Sequence, residues 1–574
     1  MPDSTTKEPF EIGLVMAGAV SAGAYSAGVL DFLVEALDAW ERAKQDDPAG
    51  TPQHDVALKV VSGASAGSIT GAILAACIKY EFPHVTPGNR ETQGRQNPLY
   101  DSWVNQIDIS HLLGTRDIAD GKRAVSLLDS TVLLDIARNA MDYGAGVPEI
   151  RRPWLCDPMR FLFTLTNLRG VPFHYTLGSN AALGQDMIRH GECIRFALKG
   201  LGERWGRPMQ NDEYAIEYPA GTTEKWPIWG PRFATAALAS GAFPVGLAPR
   251  ELVRRTADYD GEPVLLPGGP DEPASVERIE PHWTPGVNPK PEPDYTFVCV
   301  DGGTINNEPL NLARVELANG DIAARNERDG AKARRAVLMI DPFAGAERPG
   351  PATVAELDLA GSVFNVFGAL KNQARFNPLD VALASSETIY SRFMIAPSRP
   401  GADAGASGNA IACGSLGGFG GFLSQHFREH DFFLGRRNCQ RFLQRHFTLL
   451  EVNPLFDSWG DNEPMRARYR VRNPKTDEAE LPIIPLVPAV HPDANPQQGV
   501  PWPHGVVDPR DYCEGIGARL DAIYDSFVSG GRGLLLKLGW VFYLKPKLLG
   551  LVLEKVESGL VAHKLIDSRR EQVG

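Results

Sequence analysis

The stretch from Val60 to Thr70 most constrains the fold of this chain, because it reads as a buried strand that turns sharply into a helix. Gly63 and Gly67 flank Ser65 and let the backbone turn tightly, and alanines fill the two remaining positions. A helix that begins at the serine points its first amides toward developing negative charge. Gly-x-Ser-x-Gly in this setting is typical of a nucleophile elbow. A glycine-rich turn capped by a serine is the structural alternative.

Strand and helix signals alternate along the first half of the chain. Residues 10–16 read as a buried strand, 26–44 as an amphipathic helix and 57–63 as the strand before the serine. Aromatic and β-branched residues predict further strands at 160–168, 172–178, 295–301 and 336–343. This alternation predicts an α/β fold with a central, mostly parallel sheet that carries its site at strand ends. The proline-, glycine- and acid-rich residues 259–294 are predicted to form a long surface loop.

A serine nucleophile needs a base, and the sequence offers two kinds. Asp301 ends a predicted buried strand and precedes Gly302 and Gly303, which favours a close approach of a partly desolvated carboxylate to the hydroxyl. An ordinary Asp-Gly turn is the alternative for that segment. Histidine is the usual base, and His491 and His504 lie in proline-rich stretches after Asp301. A Ser-His-Asp esterase therefore stays open on these grounds.

Four stretches, in the family's order, make the chain resemble the patatin-like phospholipases: AGAVSAG at 17–23, GASAG at 63–67, FATAALASGAFPVGLAP at 233–249 and DGGTINNEP at 301–309. The resemblance implies a patatin-like three-layer fold in a domain at 12–314. Residues 315–574 are predicted to form a largely helical C-terminal extension with Pro-rich loops. Within them, FREHDFFLGRRNCQRFL is similar to part of a larger bacterial subgroup.

The same resemblance implies a chemistry. Ser65 acts as nucleophile and Asp301 as base, in a dyad without histidine that cleaves acyl esters of phospholipids or related lipids through a covalent intermediate. The expected enzyme is a phospholipase A or a broader esterase. The resemblance implies neither a metal nor a cofactor.

The N-terminal loop departs from the family pattern of three glycines, a variable residue, Arg or Lys, and glycine. From Gly18 to Gly23 this chain reads Gly-Ala-Val-Ser-Ala-Gly, so two glycines and the cation are missing. We still expect an oxyanion hole made by the main-chain amides of Ala19 and Val20, with Gly18 and Gly23 allowing the turns. The departure also leaves open a catalytically weak patatin-fold scaffold that binds a membrane or a protein partner.

Charge and cysteine content narrow the partners and the compartment. The net charge of −12 argues against a nucleic-acid partner, because phosphate binding needs a basic face. Seven scattered cysteines read as reduced thiols of a cytoplasmic protein. A phospholipid or another acyl-ester lipid is the expected partner, and the sequence does not indicate an oligomeric state.

Residues 533–553 form a strongly apolar segment that lysines and Pro546 interrupt. Each lysine at a helix centre costs about 2.5 to 3.5 kcal/mol on membrane insertion, so we expect no membrane-spanning helix. Residues 530–574 hold eight Lys/Arg and four Asp/Glu, a net charge of +4. This basic, apolar end is predicted to contact the inner membrane face peripherally through 533–553. A helix buried against the rest of the protein is the alternative.

Overall fold

In a computed structural model of the chain, strands from both halves build one central sheet that helices surround. The structure describes residues 8–568 except 178–179, 203, 220–223, 267, 269–273, 345–351, 355–364, 367–368, 371, 374–381, 385, 387, 400–409 and 529–539.

The described strands, in chain order, are β1 Phe10–Met16, β2 Val56–Gly63, β3 Leu155–Leu177, β4 Asn180–Lys199, β5 Arg204–Trp205, β6 Glu213–Glu217, β7 Arg250–Arg255, β8 Glu262–Leu266, β9 Ser275–Ile279, β10 Asp294–Asp301, β11 Arg335–Ile340, β12 Arg392–Ile395, β13 Thr448–Leu450, β14 Val471–Arg472 and β15 Ala479–Pro482. The described α-helices are α1 Gly23–Asp46, α2 Ala66–Cys77, α3 Arg90–Gln93, α4 Pro98–Tyr100, α5 Ile109–Leu112, α6 Thr131–Met141, α7 Trp226–Trp229, α8 Thr235–Ser240, α9 Leu310–Leu317, α10 Gln425–Arg445, α11 Glu463–Tyr469, α12 Cys513–Phe527 and α13 Lys545–Ala562.

The ten-stranded sheet has the order β12-β11-β1-β2-β3-β10-β7, with β4, β5 and β6 attached beyond β3. Neighbours run parallel from β12 to the first half of β3, as the alternating pattern predicts. Leu14 and Met16 of β1 pack into the main core with α1 and α2, whereas Val15 packs with α9 on the opposite face. The central strands are therefore covered on both faces, which explains their continuous apolar character.

Strand β3 is longer than the sequence pattern predicts. The stretches expected as two strands, 160–168 and 172–178, belong to one 23-residue strand that pairs antiparallel with β4. Its register shifts between Thr166 and Val171, where Asn167 Oδ1 accepts the amides of two following residues and Gly170 adopts a φ of 74°. A local bulge thus explains the glycine that sequence reasoning read as a break. Residue 178 of the second stretch lies outside the described residues.

The region predicted as a loop, 259–294, is corrected in part: it contains the exposed hairpin formed by β8 and β9. Its high content of proline and acid concealed two short strands that have little buried surface.

The C-terminal half contributes β11 and β12 to the central sheet and α10 to the core. Strands therefore enter the sheet from both sides of residue 314, and the division into 12–314 and 315–574 stays a prediction. Helix α10 packs on α1 with close backbone contact, because a β-carbon at Gly28 or Gly435 would lie 1.9 or 2.2 Å from a carbonyl oxygen of the other helix.

Within the described residues, one helix is long and apolar enough to cross a membrane by length and composition, Val20–Asp46. Its most apolar window is 94% buried inside the protein. Core helices of water-soluble proteins give the same signal, so this segment reads as the central core helix of the fold.

Candidate active site

Ser65 lies at the sharp turn between β2 and α2, as the small-residue motif predicts. Its backbone has a φ of 52° and a ψ of −125°, a conformation that non-glycine residues rarely adopt. A β-carbon at Gly63 would lie 2.6 Å from the backbone of Gly67, and one at Gly67 would lie 2.2 Å from the carbonyl oxygen of Met16. Both glycines are therefore required for the turn to pass between β1 and α2.

The structure brings Ser65 and Asp301 together. The Ser65 hydroxyl donates a hydrogen bond of 2.8 Å to Asp301 Oδ2, and both residues are 4% exposed. The other carboxylate oxygen accepts the Gly303 amide at 2.6 Å, which orients the carboxylate toward the serine. A β-carbon at Gly302 would lie 2.1 Å from the Thr164 carbonyl, so this glycine lets the Asp301 turn sit directly on β3.

The long strand β3 explains how two strand ends meet. Its first half pairs parallel with β2, with Gly63 opposite Phe163. Its middle pairs with β10, which runs antiparallel, with Asp301 opposite Leu165. The end of β2 and the end of β10 therefore reach adjacent positions on β3 from opposite directions.

Ser240, at the end of α8, is a site residue that sequence reasoning did not single out. Its hydroxyl accepts the Ser65 amide at 2.9 Å and lies 2.8 Å from the Ser68 hydroxyl. Two residues further on, the Ala242 carbonyl accepts the Asp301 amide at 2.9 Å. The quoted stretch 233–249 contains both residues, but nothing in its composition shows which hydroxyl reaches the elbow.

The N-terminal loop packs directly against the nucleophile. A β-carbon at Gly18 would lie 3.0 Å from Ser65 Cβ and 2.3 Å from Asn307 Oδ1. The Gly18 amide donates to the Asn307 carbonyl at 3.2 Å, so this amide is already occupied. In the described part of the chain, the Ala19 and Val20 amides donate to no other protein group.

The turn of this loop is made differently from our expectation. We expected Gly18 and Gly23 to allow the turns, but the left-handed φ of 48° falls on Val20, whereas Gly23 is helical at a φ of −51°. Gly23 is needed for space, because a β-carbon there would lie 2.3 Å from the Trp103 ring. A β-branched residue held at positive φ indicates that the surrounding structure determines the loop conformation.

Ser21 connects this loop to the C-terminal half. Its hydroxyl donates to the Gly418 carbonyl and accepts the Gly421 amide at 3.0 Å. The segment that holds these glycines is anchored on α10, where Asp431 accepts the amides of residues 412 and 413 and Arg428 donates to the Gly421 carbonyl. The family's cationic position corresponds to Ala22, which is fully buried in the core.

The histidines considered as alternative bases lie with other partners. His491 Nδ1 is 3.6 Å from Asp493, and His504 Nε2 is 3.2 Å from Asp567. The Ser65 hydroxyl instead contacts Asp301. The geometry therefore favours the carboxylate over a histidine as the base.

An apolar cavity runs alongside the helix that follows Ser65. Ile69 and Ile73 of α2 line it on one side, and Trp103, Met141 and Leu238 line it on others. Neither Ser65 nor Asp301 is among its lining residues. Among the described residues, no group of three or more His, Cys, Asp or Glu side chains is arranged to hold a metal ion.

A serine at a strand-to-helix elbow of a mostly parallel sheet, hydrogen-bonded to an aspartate, is an arrangement typical of α/β serine hydrolases. The sequence model of the patatin-like phospholipase family matches residues 14–172. The uncharacterized protein y4iI of Sinorhizobium fredii (strain NBRC 101917 / NGR234) is 36% identical over 94% of this chain and 79% of its own length. The chain belongs to the patatin-like phospholipase family, a family of lipid acyl hydrolases.

Proposed function

We propose that this protein hydrolyses fatty acyl esters of phospholipids or related lipids, with Ser65 as nucleophile and Asp301 as general base. The observation that carries the proposal is the 2.8 Å hydrogen bond from the buried Ser65 hydroxyl to Asp301 Oδ2. A nucleophile and its base need this contact, and the Gly303 amide supplies the third group that orients the base.

The reaction follows from this geometry. Asp301 takes the Ser65 proton while the oxygen attacks the ester carbonyl carbon, and the alcohol part of the lipid leaves with that proton. Asp301 then takes a proton from water while the water oxygen attacks the acyl-serine. The bond between the acyl carbon and the Ser65 oxygen breaks, the fatty acid leaves, and the proton on Asp301 returns to Ser65. The negative charge of each tetrahedral intermediate develops beside the N-terminus of α2. We propose that the Ala19 and Val20 amides, which donate to no protein group among the described residues, stabilise it.

The lipid nature of the substrate is supported by family membership. We also propose the peripheral membrane contact through 533–553. Residues 533–539 lie outside the described residues, and within the remainder the side chains of Val541, Phe542 and Tyr543 are exposed. Exposure of these side chains favours contact with a surface over burial within the chain.

The test compares Ser65→Ala and Asp301→Asn with wild type on phospholipid vesicles, acylglycerols and dissolved p-nitrophenyl esters. We expect each single change to lower kcat about 10³- to 10⁶-fold and the double change to add little, because residues that act as one unit are not additive. Ser558→Ala and Asp294→Asn are matched controls, since Ser558 is an exposed helix residue and Asp294 lies at the opposite end of β10.

A single variant that keeps more than a tenth of wild-type activity would contradict the dyad. Inactive wild-type protein on all three substrate classes would favour the scaffold alternative, and loss of activity in a His491 or His504 variant alone would favour the histidine esterase.

A further inference from the structure

Six exposed apolar side chains lie on four segments that contacts within the fold hold near one another, and we call this group the apolar surface. Its members are between 51% and 76% exposed: Val125, Leu127, Val245, Phe527, Phe542 and Tyr543. Exposed apolar residues scattered singly are ordinary, but several brought together by the fold mark an interaction site.

Backbone and side-chain contacts hold these segments side by side. The Leu127 amide donates to the Val245 carbonyl at 2.8 Å, and Arg519 of α12 donates to the Leu127 carbonyl at 2.9 Å. Near the C-terminal end of α12, which Phe527 forms, the Ser526 hydroxyl accepts a hydrogen bond of 3.1 Å from the Ala124 amide. These contacts hold residues 124–127 and Val245 beside α12.

The segment that carries Phe542 and Tyr543 joins the same group through α12. Trp540 stacks on Tyr524 with ring centroids 4.5 Å apart, and its indole donates to Asp521 at 2.9 Å. Lys545 donates to the same carboxylate at 2.6 Å. These contacts hold residues 540–545, just before and at the start of α13, beside α12, and Phe542 and Tyr543 in this segment are exposed.

The apolar surface leads to the active site. Val245 follows Ala242, whose carbonyl binds the Asp301 amide, by three residues. Between them, Phe243 packs edge-on against Phe419 at 5.2 Å, and both belong with Val20 to the apolar cluster at this side of the site. The Val245 end of the apolar surface is therefore connected through this cluster to the loop beside Ser65.

Charge at the margins indicates which partner fits. Lys122 and Arg123 are exposed next to Val125, and Lys547 is exposed after Tyr543, whereas Asp525 is the exposed acid next to Phe527 on α12. The chain as a whole carries a net charge of −12, so cations beside an apolar patch run against the average of the molecule. Aromatic side chains bordered by lysine and arginine suit the headgroup boundary of an anionic bilayer, while protein interfaces are depleted in lysine.

We propose that the apolar surface docks on an anionic lipid bilayer and places the Ser65 site at the membrane face. The choice of a lipid partner rests on the proposed function. The inference goes beyond the segment 533–553, because it assigns half of the docking surface to the catalytic half of the chain, at 125–127 and 245.

The test uses the full chain with Ser65→Ala, so that vesicles stay intact during binding. Co-sedimentation is measured with vesicles of phosphatidylcholine alone and with added phosphatidylglycerol. Two paired changes, Phe542→Ser with Tyr543→Ser and Val125→Ser with Leu127→Ser, remove apolar side chains from opposite parts of the surface. Val452→Ser is the matched control, because Val452 is 74% exposed in the loop after β13.

We expect binding that strengthens with phosphatidylglycerol, a loss of about tenfold or more for each pair, and no change for the control, since full burial of one large apolar side chain is worth at least that factor. In protein that retains Ser65, each pair should lower hydrolysis of vesicle lipid but leave hydrolysis of dissolved p-nitrophenyl butyrate unchanged.

Two results would overturn the inference: no vesicle binding by the Ser65→Ala protein, or unchanged binding in both pairs. A dimer, detected by light scattering, that the pairs dissociate would assign the surface to a second copy instead. Binding with the expected variant pattern but no hydrolysis of any ester would refute the proposed function and leave the docking surface standing. Ester hydrolysis without vesicle binding would support the proposed function and refute the docking surface.

Discussion

At the scale of single residues, the loop beside Ser65 depends on a side chain that the family pattern treats as variable. Ser21 is fully buried, and its hydroxyl bridges Gly418 and Gly421 of the C-terminal half. Because Val20 next to it has a left-handed φ, the loop needs outside support to keep its conformation. We infer that Ser21 holds residues 18–23, the loop for which we propose an oxyanion role, in place through the C-terminal half.

Ser21→Ala removes both hydrogen bonds and leaves a buried carbonyl and a buried amide unpaired, at a cost of about 1 to 3 kcal/mol each. We expect kcat on a dissolved ester to fall about tenfold while KM stays within about twofold, since an oxyanion hole acts on the transition state. Steady-state kinetics and thermal unfolding measure the two effects.

Ser26→Ala is the matched control, because Ser26 is equally buried three residues into α1 but its hydroxyl has no hydrogen-bond partner. Equal losses in both variants would show that Ser21 contributes only to packing.

At the scale of elements, the crossing of α1 and α10 joins the two halves of the chain. Gly28 lies under the Phe432 carbonyl and Gly435 under the Tyr25 carbonyl, so the two backbones touch. Beside this crossing, buried Arg436 pairs with Asp31 and Glu35. Burial opposes ionisation of Asp31, but Arg436 and His84 outweigh it and lower its pKa.

Gly435→Ala places a methyl group 2.2 Å from a backbone oxygen, which forces the helices apart. Overpacking of this kind costs typically about 1 to 3 kcal/mol, so we expect a clear fall in Tm despite the better helix propensity of alanine. Differential scanning calorimetry measures it.

Gly550→Ala is the corresponding control in α13, where a β-carbon meets nothing within 4 Å. That change should leave Tm unchanged or raise it slightly. A Gly435→Ala protein as stable as wild type would mean that the helices cross less closely than the structure shows.

At the scale of the whole molecule, a buried histidine lies between the two halves of the chain, and we expect it to make the folded state sensitive to acid. His54, just before β2, lies between the Trp459 indole, which donates to its Nδ1 at 2.9 Å, and the Ile483 carbonyl, 2.9 Å from its Nε2. Burial lowers the pKa of His54 to about 3, and the Ile483 carbonyl only partly opposes this. The folded protein therefore holds this imidazole neutral.

The unfolded chain binds a proton at His54 near the ordinary pKa of about 6.5, whereas the folded protein does not bind it until the pH nears about 3. The contribution of His54 to the free energy of unfolding is therefore complete above pH 6.5 and is lost as the pH falls toward about 3. The loss is about 1.4 kcal/mol for each pH unit below 6.5. Urea unfolding of the wild type measures this effect, and we expect the free energy of unfolding to be about 2 kcal/mol lower at pH 5 than at pH 7 because of His54.

In His54→Gln the pH dependence should be weaker by that amount, whatever the absolute stability of the variant. An identical slope in both proteins would assign the acid sensitivity to other groups.

The local sequence pattern was sufficient to predict the strands before Ser65 and Asp301, the turn at Ser65 and the membership of the family. These features depend on short apolar runs and on small residues at fixed spacing, so residues close together in the chain determine them. The mostly parallel α/β sheet predicted from this pattern is confirmed. The catalytic roles of Ser65 and Asp301 stay predictions.

The tertiary structure decided how residues 236 positions apart meet. The single long strand β3, its pairing with antiparallel β10, the Ser240 contact and the Ser21 bridge all depend on long-range register, which leaves no local signal in the chain. The left-handed Val20 has the same origin, because packing against the C-terminal half overrides the preference of a β-branched residue.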